Sequence, residues 1–368
     1  MPDPSVTQFE RRLRRVLPFA ALLLGIAQIV AFHSVRSDDA YITYRYGQNV
    51  ARGLGPVFNP GEHVQGSTSP GHTLLAALVY AIAGLTRTPG IMAAIGCMAW
   101  TIESVAIYLL VRDALGTASA ALIALAIGLG ASGAAAWVPL DTHFAVALTS
   151  LALVAAQRRR WSLAAISCGL AIWARPDAAI AALLVLLACI WDLRRRALGP
   201  IALCAAIALP WPLFASVYYG SPIPQTALSK YHRVEFGAYL SHELSYPSGR
   251  LFWSAPASLV TTVGLIMFAV GAWRLISKDR RLAWFIAYGV IHAIAYLFLR
   301  PFIQHGWHLY PWTFVFCVAV FASVAPTRSR GPVPIAQAMA LGALLITAAV
   351  RGEHDRQTLD RGYWTGQR

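Results

Sequence analysis

The sequence predicts an all-α polytopic membrane protein, and three observations carry that expectation. Hydrophobic residues make up 57% and charged residues only 12% of 368, whereas about a quarter of an ordinary soluble domain is charged. Mean hydropathy is +0.56. The basic residues gather between apolar runs, at Arg11-Arg12-Leu13-Arg14-Arg15, Arg158-Arg159-Arg160, Arg194-Arg195-Arg196, Lys278-Asp279-Arg280-Arg281 and Arg328-Ser329-Arg330. Such clusters anchor loops on the cytoplasmic face of a membrane.

Apolar runs lie at Val16–Phe32, Ile91–Val111, Thr117–Val138, Phe144–Ala156, Trp161–Ala174, Ala178–Trp191, Leu198–Val217, Pro256–Ile276, Leu282–Leu299, Leu309–Ala325 and Val333–Val350. They make about 11 transmembrane helices with a cytoplasmic N-terminus and every basic cluster on one side. Gly71–Leu85 is too short for a comfortable crossing, and counting it as one would invert either the N-terminus or all later clusters. It is expected to be a re-entrant or juxtamembrane helix (71–85) on the outer face, started by the Ser69 hydroxyl and by Pro70 at its first position. A first periplasmic loop (34–70) and a second (218–255) follow from this topology. The first span also has the basic flank and apolar core of a cleavable signal, but no small-x-small site follows it. It is therefore expected to stay as an anchor. The whole chain, 1–368, is expected to be a single transmembrane domain with no soluble C-terminal domain.

Composition excludes several functions. The net charge of +14 would suit a nucleic-acid partner in a soluble protein, but its placement between spans assigns it to topology instead. Cys97, Cys168, Cys189, Cys204 and Cys317 are odd in number, lie inside apolar runs and have no CxxC spacing, the pattern of packing residues. No P-loop, GxGxxG or GxSxG occurs, so nucleotide and serine-hydrolase chemistry have no sequence support.

The chemistry-bearing stretch is Asp38-Asp39-Ala40-Tyr41-Ile42-Thr43-Tyr44-Arg45-Tyr46, just after the first span. Together with Asn49, Gly53-Leu54-Gly55, Val57-Phe58-Asn59-Pro60-Gly61-Glu62 and Val64-Gln65-Gly66, it resembles the first periplasmic loop of GT-C membrane glycosyltransferases, in particular the AftB-like arabinofuranosyltransferase group. Further matches are Trp173-Ala174-Arg175-Pro176-Asp177, Tyr218-Tyr219-Gly220 with Pro224-Gln225-Thr226 and Lys230, and His308-Leu309-Tyr310-Pro311. Gln65, Ser67 and Gln225 stand where relatives often carry Glu, Tyr and Asn, and the soluble C-terminal domain of the mycobacterial enzymes has no counterpart.

The resemblance implies a GT-C type helical bundle whose donor is a polyprenyl-phosphate sugar, arabinofuranose or a related sugar, transferred with inversion. The acceptor would be an extracytoplasmic glycan, lipid or protein, with the site on the periplasmic side of the cytoplasmic membrane. No cofactor is expected beyond the lipid-linked donor, and no metal. Such transfer needs a base for the acceptor hydroxyl, whereas the phosphate leaving group is already a stable anion. Asp38 and Asp39 are the catalytic candidates. Adjacent acids at a low-dielectric boundary repel, so one can act as base while the other orients it. The competing account is that the pair starts a helix at Ala40.

Tyr41 and Arg45 share a helical face with Asp38, so Arg45 either grips phosphate or pairs with the aspartates. Glu62 and His72 flank the helix at 71–85, as ligands or as ordinary loop residues. Arg175 and Asp177, separated by a helix-breaking proline, line an outer span end, as substrate contacts or as a salt bridge. Lys230 is a point charge for the lipid phosphate or a lysine reaching lipid headgroups. His305, His308 and Tyr310 cluster in the last outer turn, where hydrogen bonding to sugar or phosphate outweighs chelation by an i, i+3 histidine pair. Two rivals remain, a transporter or flippase of lipid-linked sugars and a non-catalytic glycan-binding membrane subunit. Transporters carry ionisable groups near the bilayer midplane, and here Glu103 alone lies clearly within a span.

Overall fold

The computed structural model describes residues 4–130, 137–230, 235, 257–299 and 307–325. No strand occurs among them. The helices are α1 Pro4–Phe32, α2 Asp38–Ala51, α3 Pro70–Ala83, α4 Thr88–Leu115, α5 Thr117–Gly128, α6 Thr142–Gln157, α7 Trp161–Ala174, α8 Ala179–Leu193, α9 Leu198–Ala208, α10 Pro210–Tyr218, α11 Gln225–Lys230, α12 Ala257–Lys278, α13 Leu282–Leu299 and α14 Tyr310–Val324. Proline opens α3, α4, α10 and α14, at positions where its missing N–H costs nothing. Gly116 separates α4 from α5 with φ 91°, a conformation open to glycine but costly to other residues.

Among the described residues, four helical segments are long and apolar enough to cross a membrane: Arg11–Phe32, Thr88–Leu115, Pro176–Tyr218 and Leu282–Leu299. The third folds back on itself at Arg194–Arg196. The Trp161 indole, at the start of α7, donates to Asp192 near the end of α8 at 2.9 Å, while the Trp173 indole, at the other end of α7, donates to the Ile207 carbonyl of α9 at 2.6 Å. Shorter apolar helices, α3, α5, α6, α7 and α14 among them, complete the bundle. The chain is an integral membrane protein by these helices, and α1 carries its apolar side chains outward, with Phe19 and Val30 largely exposed.

The described basic clusters meet at one end of the bundle. Arg14 donates to Thr117 at 3.3 Å, Arg158 to the Leu109 carbonyl at 3.3 Å, and Arg281 to the Gln157 carbonyl at 2.7 Å, while Arg159 pairs with Asp192 at 2.8 Å. One-sided clustering, as read from the sequence, is therefore a property of the fold. Arg328–Arg330 and the run Val333–Val350 lie outside the described residues.

The core is centred on α14, buried along nearly its whole length from Tyr310 to Ala322, as a helix enclosed on every side must be apolar all round. It packs on α12, α13 and α5. All five cysteines are free and buried. One polar network crosses this interior. Glu103 of α4 contacts His143 Nδ1 of α6 at 2.9 Å and accepts the Tyr310 hydroxyl of α14 at 2.9 Å.

At the other end, the segment between α1 and α3 contains a helix of its own, α2, packed on α3. The crossing is close at Gly47, where an added Cβ would stand 2.8 Å from the Ala77 nitrogen and 2.9 Å from the Ala76 Cβ. The Tyr44 hydroxyl reaches the Pro139 carbonyl at 3.1 Å, tying α2 to the segment that leads into α6.

Candidate active site

A cavity of about 340 Å³ opens at the end opposite the basic clusters. Helix periodicity decides which part of α2 it receives. Asp39, Ile42 and Thr43, at i, i+3 and i+4, form the face that lines it, as the 3.6-residue repeat requires. Asp38, Tyr41 and Arg45 fall on a different face.

Asp38 is exposed, and its Oδ1 accepts the Asp39 backbone N–H at 2.9 Å, satisfying a donor in the first helical turn. Asp39 is half-buried and lines the cavity. Tyr41 is exposed and packs edge-on against Tyr44. Arg45 donates to the Phe58 carbonyl at 3.2 Å and to Gln48 at 2.9 Å. Its guanidinium thus holds the loop, away from both aspartates and the cavity.

That loop is pinned so that Gln65 and His72 face inward. Asn49 Nδ2 donates to the Val57 and Phe58 carbonyls at 2.7 and 2.9 Å. The Tyr46 hydroxyl donates to the Val64 carbonyl at 2.6 Å and accepts the Gly66 N–H at 2.8 Å. Ser67 and Thr73 hydroxyls meet at 2.9 Å, and the Ser69 hydroxyl donates to the Ala174 carbonyl at 2.5 Å, docking the start of α3 on the end of α7. Glu62 stays on the loop's exposed surface, where it accepts Asn59 Nδ2 at 3.0 Å.

Gln65 and His72 are 2% and 3% exposed and line the cavity. Neither atom of the Gln65 amide, nor His72 Nε2, has a hydrogen-bond partner among the described residues. Buried polar atoms are seldom left unpaired, and such orphans need a reason. Burial pushes the His72 imidazole down to about 4, so at neutral pH it offers uncharged hydrogen bonds and not a cation.

Arg175 supplies the opposite wall. Its Nε and one terminal nitrogen grip Asp177 at 3.0 and 2.6 Å, and the other terminal nitrogen reaches Asp141 and Thr142, both at 3.4 Å. A fork filled in this way is the bidentate geometry that guanidinium favours. Burial raises the Asp141 carboxyl above its ordinary value, against the pull of Arg175. Asp177 also accepts the Tyr296 hydroxyl at 2.7 Å. Tyr296 stacks on His308 with ring centres 5.6 Å apart, and the His308 carbonyl lies 2.8 Å from His292 Nε2. Trp211, Trp307 and the segment Pro222–Ala227 complete the lining.

Of the residues singled out from the sequence, the cavity thus gathers Asp39, His72, Arg175, Asp177 and His308. Tyr310 is not with them. It is fully buried and serves Glu103 inside the bundle, because a carboxylate in that interior takes the nearest hydroxyl donor. Lys230 ends α11, four residues after the cavity-lining Thr226, a spacing that puts the two positions on one helical face; its side chain lies outside the description. His305 lies outside the described residues, as does most of the 218–255 loop. Among the described residues no three His, Cys, Asp or Glu side chains form a group that could hold a metal ion.

Sequence reasoning missed Asp141, Thr142 and Tyr296. Asp141 carried a signal, as an acid between the apolar stretches 137–140 and 144–147. Tyr296 sits within a continuous apolar run, where nothing in one dimension separates a core tyrosine from one that points at a distant carboxylate.

The fold is shared with solved structures of two other proteins. The crystal structure of ArnT from Cupriavidus metallidurans in the apo state matches with a TM-score of 0.60 at 15% identity, over 96% of this chain and 76% of that one. ArnT bound to undecaprenyl phosphate matches with a TM-score of 0.57 at 13% identity, over 94% and 75%. The archaeal oligosaccharyltransferase AglB from Archaeoglobus fulgidus, in complex with an inhibitory peptide and a dolichol-phosphate, matches with a TM-score of 0.55 at 12% identity, over 92% of this chain and 56% of its own. No protein-family model matches the sequence, and no curated protein matches it either.

Proposed function

We propose that this chain is an integral membrane glycosyltransferase that moves a sugar from a polyprenyl-phosphate donor to an extracytoplasmic glycan, lipid or protein, with inversion and with Asp39 as general base. The observation that carries the reading is the placement of Asp39 on a cavity whose other walls hold Arg175, Asp177, Asp141 and two unpartnered neutral polar side chains. The shared fold adds support for a lipid-linked donor, since one solved structure is of ArnT bound to undecaprenyl phosphate and another of AglB in complex with a dolichol-phosphate. The AftB-like resemblance of the first loop supports a pentofuranose such as arabinofuranose.

In this mechanism Asp39 takes the proton of the acceptor hydroxyl as its oxygen attacks the anomeric carbon. The bond from that carbon to the phosphate oxygen breaks on the opposite side, and polyprenyl phosphate departs as an anion that needs no acid. Asp38 starts α2 and holds the Asp39 backbone. Gln65 and His72 hydrogen-bond the sugar hydroxyls, a role suited to groups that carry no charge. Arg175 is largely neutralised by Asp177 and Asp141, so it positions the wall, while Lys230 on α11 supplies positive charge for the phosphate. Trp211 and Trp307 offer apolar faces to the sugar ring and the first isoprene units.

The test is incubation of the purified protein with a panel of polyprenyl-phosphate sugars, following release of the lipid phosphate. Asp39→Asn is expected to lower release by about 10²- to 10⁴-fold, the usual worth of a general base. Undiminished turnover by that variant would remove Asp39 from the chemistry. A flippase of the same lipids would release no phosphate from any donor.

A further inference from the structure

Four helices whose ends lie beside the candidate active site line a second cavity at their other ends. α6, α7, α8 and α13 run from Thr142, Ala174, Ala179 and Tyr296 near the first cavity to Gln157, Trp161, Asp192 and Leu282 at the second. The second cavity measures about 430 Å³. Its depth is apolar, formed by Leu110, Leu153, Val185, Leu282 and Phe285. Its mouth carries Arg159, Arg280 and Arg281, with indoles of Trp161, Trp191 and Trp284 around it.

The charge balance at this mouth is positive. One lining carboxylate, Asp192, faces three guanidinium groups and is taken up by Arg159 at 2.8 Å and by the Trp161 indole at 2.9 Å. Nearby, Asp279 accepts Gln157 Nε2 at 2.9 Å and the Arg281 backbone N–H at 3.0 Å. Arg281 spends one nitrogen on the Gln157 carbonyl. The exposed guanidinium of Arg280 has no partner among the described residues. A cleft with an apolar floor, an aromatic rim and unsatisfied positive charge at its mouth fits an amphiphile with an anionic head. Basic pockets between transmembrane helices are places where such headgroups bind, and tryptophan rims mark the interface.

We propose that this cavity binds a phospholipid with an anionic headgroup, its phosphate at Arg280 and Arg281 and an acyl chain in the cleft among α4, α6, α8 and α13. The site is separate from the one that takes the sugar donor, because the four helices have the two cavities at opposite ends. A lipid seated there bridges α8 to α13, whose other ends follow Asp177 and carry Tyr296, and so steadies the far wall of the active site.

The experiment is thermal unfolding of the detergent-purified full chain with added phosphatidylglycerol, phosphatidylcholine or soluble glycerol phosphate, together with mass spectrometry of the lipid that stays bound. Phosphatidylglycerol is expected to raise the midpoint by about 3 °C or more near saturation, as a ligand of the native state does, and to be retained over phosphatidylcholine by about tenfold. The variant with Arg280→Gln and Arg281→Gln, changed at two exposed side chains, is expected to keep its lipid-free midpoint within about 2 °C and to lose both the shift and the retention. Arg280→Gln alone, whose side chain contacts no described partner, repeats the measurement if the double variant unfolds early. Equal shifts with phosphatidylcholine, an equal shift with glycerol phosphate alone, or full retention by the arginine variants would each overturn the proposal.

Discussion

Asp38 and Asp39 share a hydrogen bond, yet their side chains face different surroundings, because each residue of a helix turns about 100° from the last. That rotation leaves Asp38 in solvent and brings Asp39 to the cavity. Asp38→Asn is therefore expected to keep turnover within about threefold of the parent, in contrast to the loss of 10²-fold or more at Asp39; equal loss at both positions in the phosphate-release assay would mean that they act as a pair. Gln65 makes a second expectation. Its amide atoms are buried without partners, so Gln65→Leu keeps the volume, removes the orphans and is expected to raise KM for the donor by about 10- to 100-fold, with a folded protein as stable as the parent or more so. An unchanged KM would take Gln65 out of sugar recognition. Arg175 is a case where sequence left two accounts open and geometry shows a salt bridge filling the fork. Arg175→Ala leaves two half-buried carboxylates without their cation and is expected to lower the unfolding midpoint in detergent, at a cost below the roughly 3–5 kcal/mol of a fully buried pair. Asp39, His72, Arg175, Asp177 and His308 were legible as candidates, but their grouping was not, since they come from four separated stretches of chain.

Among elements, the α2–α3 pair decides where the base sits. Gly47 lets the two helices touch, and Gly47→Ala would drive a methyl into the Ala76 and Ala77 backbone. Overpacking of this kind costs about 1–3 kcal/mol. The expected result is a protein that reaches the membrane, keeps its helical content by circular dichroism and transfers sugar at least tenfold more slowly, because Asp39 moves with α2. Full activity would mean that α2 can shift without moving the base. The network of Glu103, His143 and Tyr310 belongs to the bundle. Tyr310→Phe removes one hydrogen bond to a buried carboxylate and is expected to lower stability by about 1–3 kcal/mol while leaving turnover per folded molecule unchanged. The motif around His308 and Tyr310 pointed from sequence to one outer cluster. The structure divides it at Leu309, with His308 on the cavity and Tyr310 inside the bundle.

On the scale of the whole molecule, the described chain is a bundle with two chemically different ends, one basic and one holding the candidate active site. Positive clusters between apolar runs announced that asymmetry before any coordinates, because charge cannot sit in hydrocarbon and basic loops stay on one side. Which end faces outward is open to direct measurement. Single cysteines at Glu62 and at Arg195, in a chain whose buried cysteines are replaced, are expected to react with a membrane-impermeant maleimide from opposite sides, Glu62→Cys in intact cells and Arg195→Cys only after lysis. Reaction of both from the same side would reject the topology.

What the sequence determined by itself was the environment and the class of fold: apolar runs of spanning length admit a helical membrane bundle, and the structure is one, with the fold of the solved ArnT and AglB structures. Only the tertiary structure decided which face of α2 meets the cavity, that Arg45 and Tyr310 are spent on internal partners, and that Asp141, Tyr296 and Gln65 join the site. The physical reason is that hydropathy and charge pattern are local along the chain, readable residue by residue. A cavity is built by side chains from separate stretches of the chain, and their convergence depends on how helices cross, which glycines such as Gly47 and ion pairs such as Arg175 with Asp177 set in three dimensions.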